Sequence, residues 1–188
     1  MSKPLIKIRE DTREQQPLTF DGLACEVVRD TIHVFDYALD GDQDNFAIER
    51  KSIPDLVGAI TTTQGWERER AKIRRAAFSP VIYVVEGRIL DLMPVRPCWC
   101  FSNPTCEFCL GKGFVGYDYS RRQKSVTSQF VYHRITEMIY EHNVAILFAD
   151  SRVGAACMIE GLLRRRWEQL EFQRKVQDAR DNETSEQV

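Results

Sequence analysis

At 188 residues, with 43% hydrophobic and 29% charged side chains, the chain is long enough to enclose one hydrophobic core and has the make-up of a globular protein. A net charge of −2 excludes a uniformly basic surface, and the longest apolar run, PVIYVV (residues 80–85), is too short to span a bilayer. The opening MSKPLIKIRE lacks the apolar stretch of a secretory signal, so the expected setting is intracellular, in the cytoplasm, with no membrane partner.

Taken in chain order, LIKIRED (5–11), CEVVRD (25–30), IHVFDYAL (32–39) and FAIERK (46–51) read as strands bounded by Gly, Asp or Asn. The last two flank the turn-rich DGDQDN and form an antiparallel hairpin. Beyond Lys51 the pattern turns helical: Ser52 and Asp55 offer an N-cap, Pro54 fits the first turn, and Leu56, Val57 and Ile60 follow at helical spacing. Thr61 to Gly65 break that helix, and WERERAKIRRAAF (66–78) begins a second. A buried strand is predicted over 80–87, a helix over 128–142, a strand over 144–150 and a long closing helix through Ala156, Ile159, Leu163, Trp167 and Leu170. The tail from residue 177 to 188 has little to bury and is expected to be disordered. Strands first and strand-helix alternation second predict a mixed α/β sheet covered by helices.

Charge is unevenly spread. Residues 1–48 carry five Lys/Arg against ten Asp/Glu, whereas residues 49–75 carry seven against four, and 96–124 are also net basic. Acids followed by basic blocks suit a metal site beside a polyanion, although solvated surface charge gives the same pattern. Strand alternation sends Glu49 and Lys51 to one side and Arg50 to the other. Asp36 on the facing hairpin arm comes close to Glu49, and Asp11 closes the first strand at the same rim. Carboxylates gathered this way repel one another unless a cation sits among them, and oxygen ligands suit Mg²⁺. A surface ion pair at a strand end remains the competing reading.

The motifs DTRE (11–14), DYAL (36–39) and ERKSIPD (49–55), followed by YVVEG (83–87), together resemble the nuclease domain of the XPF family of structure-specific endonucleases. The resemblance implies a restriction-endonuclease-like α/β core over residues 1–176 and metal-dependent cleavage of DNA. Its metal-binding acids fall on Asp36 and Glu49, holding Mg²⁺ or Mn²⁺, and its catalytic lysine on Lys51. Asp11, Arg13, Arg50 and Asp55 match positions that matter for activity, Arg13 and Arg50 serving substrate phosphates or the order of the site. Gln64 and Arg70 are its remaining DNA-contact candidates. Phe35 departs from the family, which has glycine before the aspartate, and Gly41-Asp42 in the turn is a rival ligand pair. Family members pair through this domain, which implies a homodimer, and continue into helix-hairpin-helix domains that do not follow here. The short form suggests a bacterial or phage source.

Four of six cysteines crowd into PCWCFSNPTCEFC: Cys98, Cys100, Cys106 and Cys109 form two close pairs suited to one tetrahedral Zn²⁺. CEFCLGKG resembles the zinc knuckle of DnaJ-type cysteine-rich modules. The knuckle, about residues 94–120, would be an insertion into the XPF-type core. Trp99, Phe101, Phe108, Phe114, Tyr117 and Tyr119 alternate with Lys112, Arg121, Arg122 and Lys124, a mix that either stacks on unpaired bases or forms the knuckle's own small core. Cys25 and Cys157 read as buried thiols, and the arginines at 164–166 as a solvated face.

The expected activity is hydrolysis of branched, forked or single-stranded DNA in repair or recombination. The alternatives are a Holliday-junction resolvase on the same core and a non-catalytic, zinc-stapled DNA-binding module.

Overall fold

The computed structural model describes residues 4–76, 78, 80–98, 100, 104–106, 112, 114–121 and 126–185. In chain order it places strands β1 (Ile6–Asp11), β2 (Cys25–Asp30), β3 (Tyr37–Leu39) and β4 (Ala47–Ser52), then helices α1 (Ile53–Thr61) and α2 (Thr63–Arg75). Strand β5 (Val81–Glu86) is followed by a small hairpin, β6 (Arg96–Pro97) and β7 (Phe114–Val115). Helix α3 (Ser128–His142), strand β8 (Val144–Phe148) and helix α4 (Arg152–Ser185) complete it.

Six strands form one mixed sheet in the order β2-β1-β3-β4-β5-β8. β3 runs antiparallel to both β1 and β4, while β4, β5 and β8 are mutually parallel. Alternation along the strands divides the interior in two. Ala47, Val81, Tyr83 and Val85 face a cluster with Leu56, Ile60, Trp66, Val131 and Met138 from α1, α2 and α3. Ile48, Ile82 and Val84 face the other way, under Ala156, Ile159 and Leu163 of α4. Glu49 and Lys51 therefore share the α1–α3 side with Ala47, and Arg50 shares the α4 side with Ile48.

Local chemistry sets the boundaries near the site. Ser52 caps α1: its hydroxyl accepts the Asp55 amide at 3.2 Å and donates to the Asp55 carboxylate at 2.6 Å. Gly87, at φ 144°, ends β5 where a Cβ would lie 2.5 Å from Cγ1 of Ile53, so the turn behind the YVVEG strand needs glycine on both counts.

Four features differ from the sequence reading. The first hairpin arm is shorter than 32–39, because residues 33–36 bend and Phe35 takes a left-handed φ of 75°; only Tyr37–Leu39 is regular strand. Helix α4 continues through residues 177–185, where a disordered tail was expected. Its exposed last turns are supported along the helix by Arg174–Glu171 and Gln177–Asp181 contacts. The arginines at 164–166 are not uniformly solvated either. Arg164 is buried, paired with Glu160 and donating to the carbonyls of Pro4 and Ala24, and Arg166 grips Asp42. Nor are the two lone cysteines buried thiols: Cys157 is exposed and Cys25 only half-buried.

Candidate active site

The loop after β1, the bend before β3, the end of β4 and one side of α2 enclose a cleft of about 680 Å³. Asp11, Arg13, Glu14, Asp36, Glu49, Arg50, Lys51 and Asp55 all line it, joined by Arg68, Lys72 and Arg75 of α2.

The bend that shortens β3 is what delivers Asp36. Its amide still donates to the Ile48 carbonyl at 3.0 Å, while its carboxylate accepts the Arg50 amide at 2.8 Å, so the side chain is braced on β4 beside Glu49. Burial and then the negative charge of Glu49 push the Asp36 carboxyl up to about 8. Glu49 is 2% exposed. Burial alone would raise its pKa, but Lys51 at 2.7 Å on one oxygen and Lys72 on the other hold it below the usual carboxylate range.

Lys51 contacts a second acid, Glu69 of α2, at 3.1 Å, and the Tyr83 hydroxyl donates to the other oxygen of Glu69 at 2.7 Å. Burial would neutralise the lysine; Glu49 and Glu69 outweigh it and raise the ammonium pKa, so Lys51 keeps its charge through the neutral range. Asp11 is the anchor of the loop beneath. It is 1% exposed and accepts the amide of Arg13 at 2.7 Å, the Arg13 guanidinium at 2.8 and 2.6 Å, and the Ile32 amide at 3.0 Å.

The sequence-predicted residues thus divide. Asp36, Glu49, Lys51 and Asp11 converge, Arg13 stands exposed at the mouth, and Asp55 caps α1 at the rim. Arg50 contributes its backbone: its guanidinium is buried against Glu86 at 2.7 Å and Glu14 at 3.2 Å, so this geometry offers it to the order of the site rather than to a substrate phosphate. Gln64 and Arg70 are not among the residues lining the cleft, and Arg70 contacts Glu67 on its own helix. The cleft side of α2 is the stripe Arg68, Lys72 and Arg75, spaced at three and four residues. The rival Asp42 is held by Arg166 at 2.6 Å and lies outside the cleft.

Glu69 and Lys72 were not anticipated. One signal was present: Trp66, Glu69 and Ile73 occupy the buried stripe of α2, and a glutamate in an apolar stripe marks an acid with an internal partner.

Around the β6–β7 hairpin, the thiols of Cys98, Cys100 and Cys106 lie within 4.8 Å of one another, Cys98 and Cys106 at 3.7 Å. Cys109, Trp99, Phe101, Phe108, Arg122 and Lys124 lie outside the described residues. Tyr117 and Tyr119 meet edge-on at 4.9 Å, and the Tyr119 hydroxyl donates to the Leu92 carbonyl at 2.6 Å, which favours an internal packing role for these two rings. Phe114 is half-exposed.

Residues 9–162 match the family model described as the ERCC4 domain. The chain belongs to the ERCC4-domain family. Its mixed six-stranded sheet flanked by helices is similar in fold to solved XPF structures. XPF from Aeropyrum pernix matches with a TM-score of 0.58 at 18% identity, over 85% of this chain and 61% of that one. XPF from Aeropyrum pernix in complex with DNA matches with a TM-score of 0.58 at 17% identity, over 87% of this chain and 66% of that one. The ERCC4-domain chain therefore spans less than two thirds of either relative. No curated protein sequence matches it.

Proposed function

We propose that this ERCC4-domain protein is a divalent-metal-dependent DNA endonuclease acting on branched, forked or single-stranded DNA in repair or recombination. The observation that carries the reading is the convergence of Asp36 and Glu49 with Lys51 in one cleft whose outer wall is the basic stripe of α2. The donor set suits Mg²⁺ or Mn²⁺: two carboxylates with opposed protonation tendencies, Asp36 raised by burial and then by the nearness of Glu49, form a pair that a cation between them would stabilise. Bound there, such a cation would polarise a phosphodiester oxygen and lower the pKa of a water.

The chain's own groups supply the rest. Lys51, held as an ammonium, offers charge to the phosphorane as it develops. The Arg50 amide fixes Asp36, and Asp11 with Arg13 fixes the loop that forms the opposite wall. Arg68, Lys72 and Arg75, with Arg13, meet the phosphates on either side of the scissile bond. The XPF relative in complex with DNA supports DNA as the polymer bound.

The test is cleavage of single-stranded, forked, flapped and four-way DNAs with Mg²⁺, Mn²⁺ or chelator. Asp36→Asn and Lys51→Ala should each lose at least about 100-fold in rate; wild-type rates in both would refute the reading. Preference for the four-way junction would instead favour the resolvase alternative. Sedimentation at several concentrations tests for the homodimer that the family resemblance implies.

We further propose that Cys98, Cys100 and Cys106, with Cys109 as the fourth thiolate, hold a structural Zn²⁺. Three clustered thiols on a two-stranded support favour it, and four thiolates leave no open position for chemistry.

A further inference from the structure

We infer that Glu69 is a positioning residue for the proposed reaction: with Tyr83 it holds the Lys51 ammonium at the cleft, so that helix α2 supplies half of the lysine's setting. The inference rests on the nuclease reading and deepens it.

Three observations carry it. Glu69 is 8% exposed and lies between Trp66 and Ile73 on the buried stripe of α2, where a carboxylate is tolerated only with partners. Each of its oxygens has one, Lys51 at 3.1 Å and the Tyr83 hydroxyl at 2.7 Å. Tyr83 is itself fully buried and stands opposite Glu49 in the parallel register of β4 and β5, so the anchor of Glu69 is fixed by the sheet that carries the acids.

The second carboxylate matters because of what the first must do. Glu49 is the acid assigned to a cation, and any cation it binds competes with Lys51 for the same oxygens. A lysine held by Glu49 alone, on a flexible four-carbon stem, would be released when that acid is engaged. Glu69 comes from α2 rather than from β4, so it remains available to the lysine when Glu49 is engaged. The pattern is reciprocal: Lys72, three residues on from Glu69, takes the other oxygen of Glu49, so strand order acid-x-lysine meets helix order acid-x-x-lysine, each charge on its opposite.

The experiment uses the full chain. Lys51 is followed by its side-chain ammonium signal in proton–nitrogen spectra, assigned with Lys51→Arg, alongside single-turnover cleavage. With Mg²⁺ present to engage Glu49, the ordered ammonium signal should vanish in Glu69→Ala, and kcat should fall about 100-fold with KM within about twofold, as for a misplaced catalytic group. Glu69→Gln, which keeps an oxygen acceptor, should restore the signal and most of the rate. In a Lys51→Ala background Glu69→Ala should cost nothing further, because it acts through the lysine. An unchanged ammonium signal in Glu69→Ala with Mg²⁺ present, or losses that multiply with those of Lys51→Ala, would overturn the inference. Should Glu69→Ala not fold because the Tyr83 hydroxyl is left unpaired, Glu69→Ala with Tyr83→Phe removes both polar groups and the same outcomes apply. A wild type that cleaves no DNA while its ammonium signal depends on Glu69 would refute the nuclease reading and leave the contact standing.

Discussion

Two acids of the cleft are set in opposite directions by their surroundings. Burial alone would raise the Asp11 carboxyl, but its hydrogen bonds from Arg13 and Ile32 win and lower it. A lowered folded-state pKa means that the unfolded chain binds more protons, so the stability Asp11 contributes is present above its unfolded value near 3.8 and is lost as pH falls through the folded value. Asp11→Asn should therefore destabilise the fold by on the order of 2 kcal/mol at pH 7, with the difference from wild type closing below about pH 4, as read by denaturant melts across pH. Asp36 runs the other way. With its carboxyl near 8, a cation that binds at neutral pH displaces a proton, so apparent Mn²⁺ affinity should rise by up to about tenfold per pH unit from 6 to 8 and flatten above. Titration calorimetry in buffers of different ionisation heat reads that proton directly, and Asp36→Asn should remove the pH dependence.

At the scale of an element, the bend at residues 33–36 decides the site. Phe35 holds φ 75° although it is not glycine, and its ring is 1% exposed, edge-on to Phe78 and Tyr83 at 6.0 Å with the Lys72 ammonium 5.3 Å above it. Where the resembled family has glycine, this chain thus holds a left-handed backbone together with a core side chain. Phe35→Gly and Phe35→Ala should both cost about 3 kcal/mol through the lost ring, but the glycine variant should be the more stable of the two by about 1 kcal/mol, since only it relieves the left-handed strain. Equal melts for the pair would show that the bend relaxes. The phase of α2 is a second decision at this scale. A turn of one residue would bring Arg70 to the cleft in place of Arg68, Lys72 and Arg75, and Trp66 and Ile73 in the core prevent it.

Across the whole molecule, the cysteine hairpin forms a two-stranded sheet of its own, and it meets the core through Tyr117 and Tyr119. None of the cysteines at 98, 100 or 106 belongs to either hydrophobic cluster. Cys98→Ala with Cys106→Ala should accordingly abolish bound zinc, measured by elemental analysis, while the far-ultraviolet circular dichroism of the sheet and helices stays close to wild type.

How much of this was legible beforehand follows from where each signal lies. Ser52–Asp55, the apolar runs of β5 and β8, and the stripe of α3 are local patterns, and hydrogen bonding and burial act on them over a few residues; the elements they predict are the elements observed. The alternation of Glu49, Arg50 and Lys51 is local too, and it predicts the sides on which they stand. Glu69 and Lys72 come from another element and reach the acids only through the packing angle of a helix on a sheet, which a linear pattern of R-E-R cannot encode. Arg164 looks like solvent-facing charge in sequence, and Arg50 like a substrate-phosphate or ordering residue; both are buried because their acidic and carbonyl partners are distant in the chain. The sequence by itself therefore determined most of the elements, the family motifs and the sides on which Glu49, Arg50 and Lys51 stand. Only the tertiary structure decided which opposite charges meet, because ion pairing depends on distance in space and falls away within a few ångströms in water.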